Sequence, residues 1–335
     1  MGRIADIAQA LAEAGLDGWL FYDFRLSDPL AYRILGLPEE GLTTRRWFYF
    51  IAANGPPQAL VSAVEAHRLD ALPASPRIVY RSEQQMLEGL SCILQHRRRI
   101  AMNYSPHCAI PYVSRVDGGT IELVRSLGVE IVTAADLIQT FEATLTPAQL
   151  AGHRRAAAAL REIVHESFAE IAHRVCGHLP CTEYQIQRFV LQRIEAHRMR
   201  TDEAPIVAVN ANAANPHFST GEENDTPIQS GDLVLLDLFA KEAAAGSIYG
   251  DLTWMGFVGD EVPDEYARIF RIVAHAREAA VELVQTRIGN GMTVTGAEAD
   301  QASRRMIEQA GYGDQFVHRT GHSIGREVHG TGANL

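Results

Sequence analysis

A carboxylate in the middle of an apolar β-strand needs a partner, and Gly231-Asp-Leu-Val-Leu-Leu-Asp237-Leu-Phe-Ala-Lys241 contains one. Side chains along a strand alternate between faces, so Leu233, Leu235, Asp237 and Phe239 share one side and Val234, Leu236 and Leu238 the other. The run reads as a strand buried on both faces, where an unpaired carboxylate costs several kcal/mol or takes up a proton. A second acid, Asp251, sits among the apolar residues of Tyr249-Gly-Asp-Leu-Thr-Trp-Met-Gly-Phe257. The loop between the two runs is hairpin-like. Antiparallel pairing is therefore expected to set Asp237 and Asp251 side by side, where two like charges repel unless a cation lies between them. Taken alone, this feature leaves a pair of solvated or Arg-bound strand acids equally open.

Histidines supply the second set of candidates. His318, His322 and His329 fall within twelve residues in His318-Arg-Thr-Gly-His-Ser-Ile-Gly-Arg-Glu-Val-His329-Gly330, punctuated by glycines that let the backbone come close to a ligand. Neutral imidazole is a common ligand of transition metals. A fourth histidine, His217, lies in Asn215-Pro-His-Phe-Ser-Thr-Gly221, a run of turn formers after a strand. Alone it is ordinary, since Asn-Pro is also simply a turn.

Two groups of elements must position these residues. Before about residue 145, strand patterns (Gly18 onward, Trp47–Ala52, Ala59–Ser62, Ile78–Tyr80, Arg99–Met102, Val129–Val132) alternate with helical ones (Ile4–Ala14, Gln84–Gln95, Gly118–Leu127). That alternation predicts an α/β domain. Thr146-Pro147 then gives an N-cap followed by proline at the first helical position, opening a long Ala-rich helix to about Val175. A second helix follows over about Thr182–Arg198, then strands over Ala204–Val209, Gly231–Lys241 and Ile248–Val258, and helices over Asp264–Gln285 and Gly296–Ala310. The domains expected are 1–145 and 146–335.

The formal net charge of −11 argues against a nucleic-acid partner, which needs clustered Lys and Arg. No run of 18 uninterrupted apolar residues occurs, so no membrane span is expected. The first residues read as an amphipathic helix and not as a signal peptide, and the four cysteines include no C-x-x-C pair. Reduced thiols and a cytoplasmic location are the default expectations.

In this order, x-P-H-F, G-D-L-V-L-L-D, G-D-L-T and H-x-x-G-H-S-I-G-x-x-x-H, the pieces resemble the M24 metallopeptidases, which include aminopeptidase P, prolidase, methionine aminopeptidase and creatinase. The likeness is specific over His217 to His329 and weaker over the preceding domain, which resembles the N-terminal domain of the creatinase and aminopeptidase P branch. It implies an α/β fold: a creatinase-like domain followed by an α+β pita-bread domain. It also implies a site with two divalent metals, Mn²⁺ foremost and Zn²⁺ or Co²⁺ as alternatives. Asp237 would be a ligand of one metal, Asp251 would bridge both, and His322 would be the histidine ligand. His217 and His329 would contact a peptide substrate and help stabilise the tetrahedral intermediate, and His318 would line the site. A homodimer is implied at most.

Some features depart from the pattern. The family carries two ligand glutamates after the last histidine, and neither is found before Leu335, nor are the closing strands of the fold. The expectation is an incomplete pita-bread domain that binds metal weakly or not at all as it stands. Asp251-Leu-Thr-Trp replaces the common D-x-T-R, and Gly330 stands where many relatives have Glu. The leading expectation is hydrolysis of a peptide bond before proline. The alternatives are a creatinase-like C–N hydrolase that uses no metal, and a pita-bread binding protein without catalysis.

Overall fold

The computed structural model describes residues 2–335, which divide after Thr144 into two compact units. The first runs α1 (Gly2–Glu13), β1 (Gly18–Asp23), α2 (Pro29–Leu35), β2 (Trp47–Ala52), β3 (Gln58–Ser62), β4 (Arg77–Tyr80), α3 (Glu83–Leu94), β5 (Arg99–Met102), α4 (Gly118–Ser126), β6 (Glu130–Thr133) and α5 (Ala135–Ile138). Its six strands form one mixed sheet in the order β4-β3-β2-β1-β5-β6. β2 is antiparallel to β1 and β3, while β1/β5, β5/β6 and β3/β4 are parallel.

Alternation deals the strand residues to two cores. Trp19, Phe21, Trp47, Tyr49, Ile51 and Val61 pack with Ile7 and Leu11 of α1 and with Leu30 and Ile34 of α2. Leu20, Tyr22, Phe48, Phe50, Leu60 and Met102 pack with Met86, Leu90 and Ile93 of α3 and with Ile121 and Val124 of α4. Layers on both faces explain why Trp47–Ala52 is an unbroken apolar run.

The second unit runs α6 (Pro147–Cys176), α7 (Glu183–Ala196), β7 (Met199–Arg200), β8 (Ile206–Val209), β9 (Leu233–Glu242), β10 (Gly250–Phe257), α8 (Asp264–Gly289) and α9 (Gly296–Gln309). Thr146 caps α6 in a full capping box with Gln149. β9 is the spine of the sheet. It pairs antiparallel with β10 on one side and with β8, then β7, on the other.

One face of this sheet is a dry core. Val234, Leu236, Leu238 and Ala240 of β9, with Val207 and Val209, pack on Ala156, Leu160, Ile163 and Val164 of α6 and on Ile186, Val190 and Ile194 of α7. Gly250 is required by this packing: a Cβ there would lie 2.8 Å from the backbone nitrogen of Ala157 in α6. The other face differs from expectation. Leu233, Leu235 and Asp237 are only half-buried and Thr253 is exposed, so β9 is not buried on both sides along its length. The physical reason is that α6 and α7 lie on one side alone. The opposite side is met by the irregular segment after α9, through contacts at Asp251, Tyr249 and Lys241.

Candidate active site

The hairpin register places the two acids differently from the side-by-side expectation. Asp237 stands directly opposite Thr253, and Asp251 opposite Phe239. The acids therefore share a face as diagonal neighbours, two residues out of register. The partner directly across from Asp237 is a hydroxyl, and Thr253 Oγ1 donates to Asp237 Oδ1 at 2.6 Å. Desolvation pushes the Asp237 carboxyl above its ordinary range, and the charge of Asp251 adds to the rise against the Thr253 hydrogen bond.

The histidine segment reaches this face without forming helix or strand beyond the short turn Gly313–Gln315. Its start is tied to α9, where Arg304 donates to the carbonyls of Phe316 and His318 and Asp300 accepts from the Thr320 backbone and hydroxyl. Farther on, the segment folds back on itself: Gly330 N donates to Ser323 O, and a Cβ at Gly330 would lie 2.8 Å from Ser323 Oγ. A glycine is needed there for close approach of the chain.

This folding sets His322 Nε2 3.3 Å from Asp251 Oδ2 and brings the His322 and His329 rings together, centroids 4.4 Å apart and planes tilted by 43°. The hydrogen bond to Asp251 raises the His322 pKa, whereas burial and the neighbouring His322 lower that of His329. The carboxylate thus shifts His322 toward its charged form, and burial shifts His329 toward its neutral one.

Of the six residues singled out from sequence, the structure brings four together: Asp237, Asp251, His322 and His329. Among the described residues, His217 and His318 make no hydrogen bond or ring contact with those four. His217 is exposed, its backbone N–H donating to Asn215 Oδ1, and His318 lies edge-on against Phe316 with its Nδ1 at the Arg319 carbonyl. Among the described residues, no three His, Cys, Asp or Glu side chains form a ready cation-binding group. The fit to a divalent cation is instead one of donor type and charge. Two diagonal carboxylates, one of them destabilised by its neighbour's charge, and an imidazole already at one carboxylate are donors such ions accept.

Sequence reasoning missed Thr253, although its place two residues after Asp251 puts it on the same face. It also missed Lys241, Tyr249 and Asp202. Tyr249 OH donates to Asp202 Oδ2 at 2.8 Å, and Lys241 Nζ lies 3.3 Å from the same oxygen. Asp202 and Tyr249 border a cavity of about 290 Å³ that His329 also lines.

A chain with this sheet, these acids and this histidine segment is of metallopeptidase type in its architecture. Residues 151–334 match the metallopeptidase family M24, and the chain belongs to that family. It is 35% identical over 158 residues to the Xaa-Pro dipeptidase of Pyrococcus furiosus, a match covering 44% of this chain and 40% of that protein. To the Xaa-Pro dipeptidase of Lactobacillus delbrueckii subsp. lactis it is 33% identical over 153 residues, covering 44% of this chain and 35% of that one. The matches thus span well under half of these relatives. Among solved structures, dipeptidase PepE from Mycobacterium ulcerans superposes with a TM-score of 0.69 at 24% identity, covering 100% of this chain and 84% of that one. Recombinant prolidase from Thermococcus sibiricus gives a TM-score of 0.61 at 18% identity, covering 98% and 82%. The shared fold is the α/β, pita-bread architecture of this family.

Proposed function

We propose that this protein is a metal-dependent peptidase that cleaves an Xaa-Pro bond, with Asp237, Asp251 and His322 as metal-binding residues. The observation that carries the reading is the meeting of Asp251 with His322 on the sheet face that also bears Asp237. The names of the relatives, Xaa-Pro dipeptidase and prolidase, support the substrate class. In the same reading residues 1–145 are a creatinase-like N-terminal domain and 146–335 the peptidase domain. Two divalent cations are invoked, Mn²⁺ foremost. A bound cation would polarise the scissile carbonyl and supply hydroxide near neutral pH.

The chain's own residues supply the rest. The Asp237 carboxylate, desolvated and facing Asp251, favours a positively charged ligand over remaining bare. Thr253 holds one Asp237 oxygen and so fixes that carboxylate's orientation. His329, kept neutral by burial, can accept or donate a hydrogen bond where oxyanion charge develops. In the same reading His217 would contact substrate and help stabilise the tetrahedral intermediate and His318 would line the site, roles that rest on the family resemblance.

The test is turnover of a Leu-Pro dipeptide by the full-length protein with Mn²⁺, beside Asp251→Asn and a chelator-treated sample. Loss of a direct ligand is expected to exceed the roughly 10–100-fold typical of groups that only support ligands, and chelation to abolish turnover until Mn²⁺ is returned. Turnover unaffected by chelator would overturn the metal-dependent reading in favour of a metal-free C–N hydrolase.

A further inference from the structure

Lys241 is the residue of this region whose chemistry the peptidase reading leaves unused. It lies on β9 four residues beyond Asp237, on the same face of the sheet, yet its side chain is only 7% exposed. A buried ammonium is expensive, and a methionine of similar length would fill the same space without that cost. Its contacts show where the charge is used. Nζ donates to the backbone carbonyl of Arg326 at 2.5 Å, approaches Asp202 Oδ2 at 3.3 Å, and lies 4.3 Å from the centroid of the Tyr249 ring.

Arg326 sits between His322 and His329, so the carbonyl that Lys241 grips belongs to the stretch joining the two paired imidazoles. A second tie runs nearby: Tyr249 N donates to Gly325 O, and the Tyr249 carbonyl is met by His153 Nδ1 of α6 at 2.6 Å. The segment has no helix or strand of its own here, so tethers must set its path. Tyr249 contributes backbone, which any residue supplies. Lys241 contributes a side chain, and its ammonium is held from behind by Asp202, whose carboxylate the Tyr249 hydroxyl keeps ionised. Asp202 and Tyr249 also line the cavity that His329 borders, so the same triad fixes one wall of that cavity and the backbone leading to the histidine on another.

We propose that Lys241 is the positioning residue of the histidine segment: by holding the Arg326 carbonyl against β9, it sets His329 against His322, the imidazole that meets Asp251. The proposal deepens the peptidase reading and rests on it for its functional consequence, but the placement itself can be read without turnover.

The experiment uses histidine-labelled full-length protein, free of metal, and follows the nuclear Overhauser contact between the His322 and His329 rings. Lys241→Met keeps the stem and removes the donor. Lys241→Arg keeps a cationic donor. The contact is expected in the wild type, lost in Lys241→Met at unchanged circular dichroism, and restored in Lys241→Arg. Should Lys241→Met fail to fold, Lys241→Gln, whose amide is too short to reach Arg326, takes its place with the same expected loss. Persistence of the ring contact in a folded Met or Gln variant overturns the proposal, since a lysine that only stabilised the fold would lower the melting temperature and leave the rings together. In metal-loaded enzyme, kcat/KM for Leu-Pro is expected to fall about 10- to 100-fold in Lys241→Met, the scale of a misplaced catalytic group. A wild type inactive on Leu-Pro would sink the peptidase reading while leaving the ring contact to decide the role of Lys241.

Discussion

Asp28 makes the N-terminal unit less stable as pH rises through the weakly acidic range. It is fully buried and caps α2, its Oδ1 accepting from Ala31 N at 3.1 Å and its Oδ2 from Asn103 Nδ2 at 2.6 Å. Asn103 is in turn pinned by Trp19, whose Nε1 donates to Asn103 Oδ1 at 3.0 Å. Burial pushes the Asp28 carboxyl up to about 7, with the nearby Asp23 adding to the rise and the hydrogen bonds from Ala31 and Asn103 and the charge of Arg115 opposing it. In the unfolded chain the same group titrates near 3.8. Between these values the folded state keeps a proton that the unfolded state has released, so unfolding becomes easier as pH rises and levels off above 7. A gap of about three pH units at about 1.4 kcal/mol each puts the loss on the order of 4 kcal/mol. The assay is urea unfolding of the whole protein at steps from about pH 4 to about pH 8, the window that brackets the two titrations. It is followed by the fluorescence of Trp19 and Trp47, both buried in this unit, for wild type and Asp28→Asn. Carboxylates held below their usual range, such as Asp17 and Asp117, contribute with the opposite sign, so the difference between the two proteins is the informative quantity. The Asp28→Asn variant brings an amide toward the Asn103 amide and is expected to be less stable than wild type at the acid end of the window, where the protonated acid fits best. That disadvantage should shrink steadily toward neutral pH. A difference that stays level across the window refutes the reasoning.

Two further predictions concern the frame that carries the acids. Gly250→Ala drives a Cβ into the α6 backbone at Ala156 and Ala157, which has no flexible end to move, so it is expected to cost about 1–3 kcal/mol or more by urea unfolding. Thr146→Ala removes the side-chain half of the α6 capping box and is expected to cost about 1 kcal/mol, with Thr146→Ser close to wild type in the same measurement.

What could be read in the sequence was whatever local chemistry decides. Trp47–Ala52 and Arg99–Met102 fall where their apolar runs place them, and Thr146-Pro147 marks the start of α6, because caps and periodicity act over a few residues. The short helix Pro29–Leu35 escaped a periodicity reading, being too brief to show one, although Asp28-Pro29 carried a cap signal. The contacts around Lys241 were not legible at all. Asp202, Tyr249 and Arg326 come from three separate stretches of chain, and nothing near any of them in sequence names the others.

The one error of register is also the most instructive about the site. Direct opposition of Asp237 and Asp251 across the hairpin would hold their Cβ atoms about 4.5–5.5 Å apart, a spacing at which two carboxylates share a proton or repel. The observed diagonal relation widens that separation to about 7–8 Å between the backbones. It leaves room for another group at each acid, and both places are used: the Thr253 hydroxyl at Asp237 and the His322 imidazole at Asp251. Alternation fixed that the acids share a face. Only the length of the connection between Glu242 and Gly250, which sets how far β10 slides along β9, fixed the offset, and no residue pattern within either strand reports it. The same slide brings Thr253 opposite Asp237 and leaves Asp251 toward the end where the histidine segment arrives. The register of one hairpin therefore decides which acid meets hydroxyl and which meets imidazole.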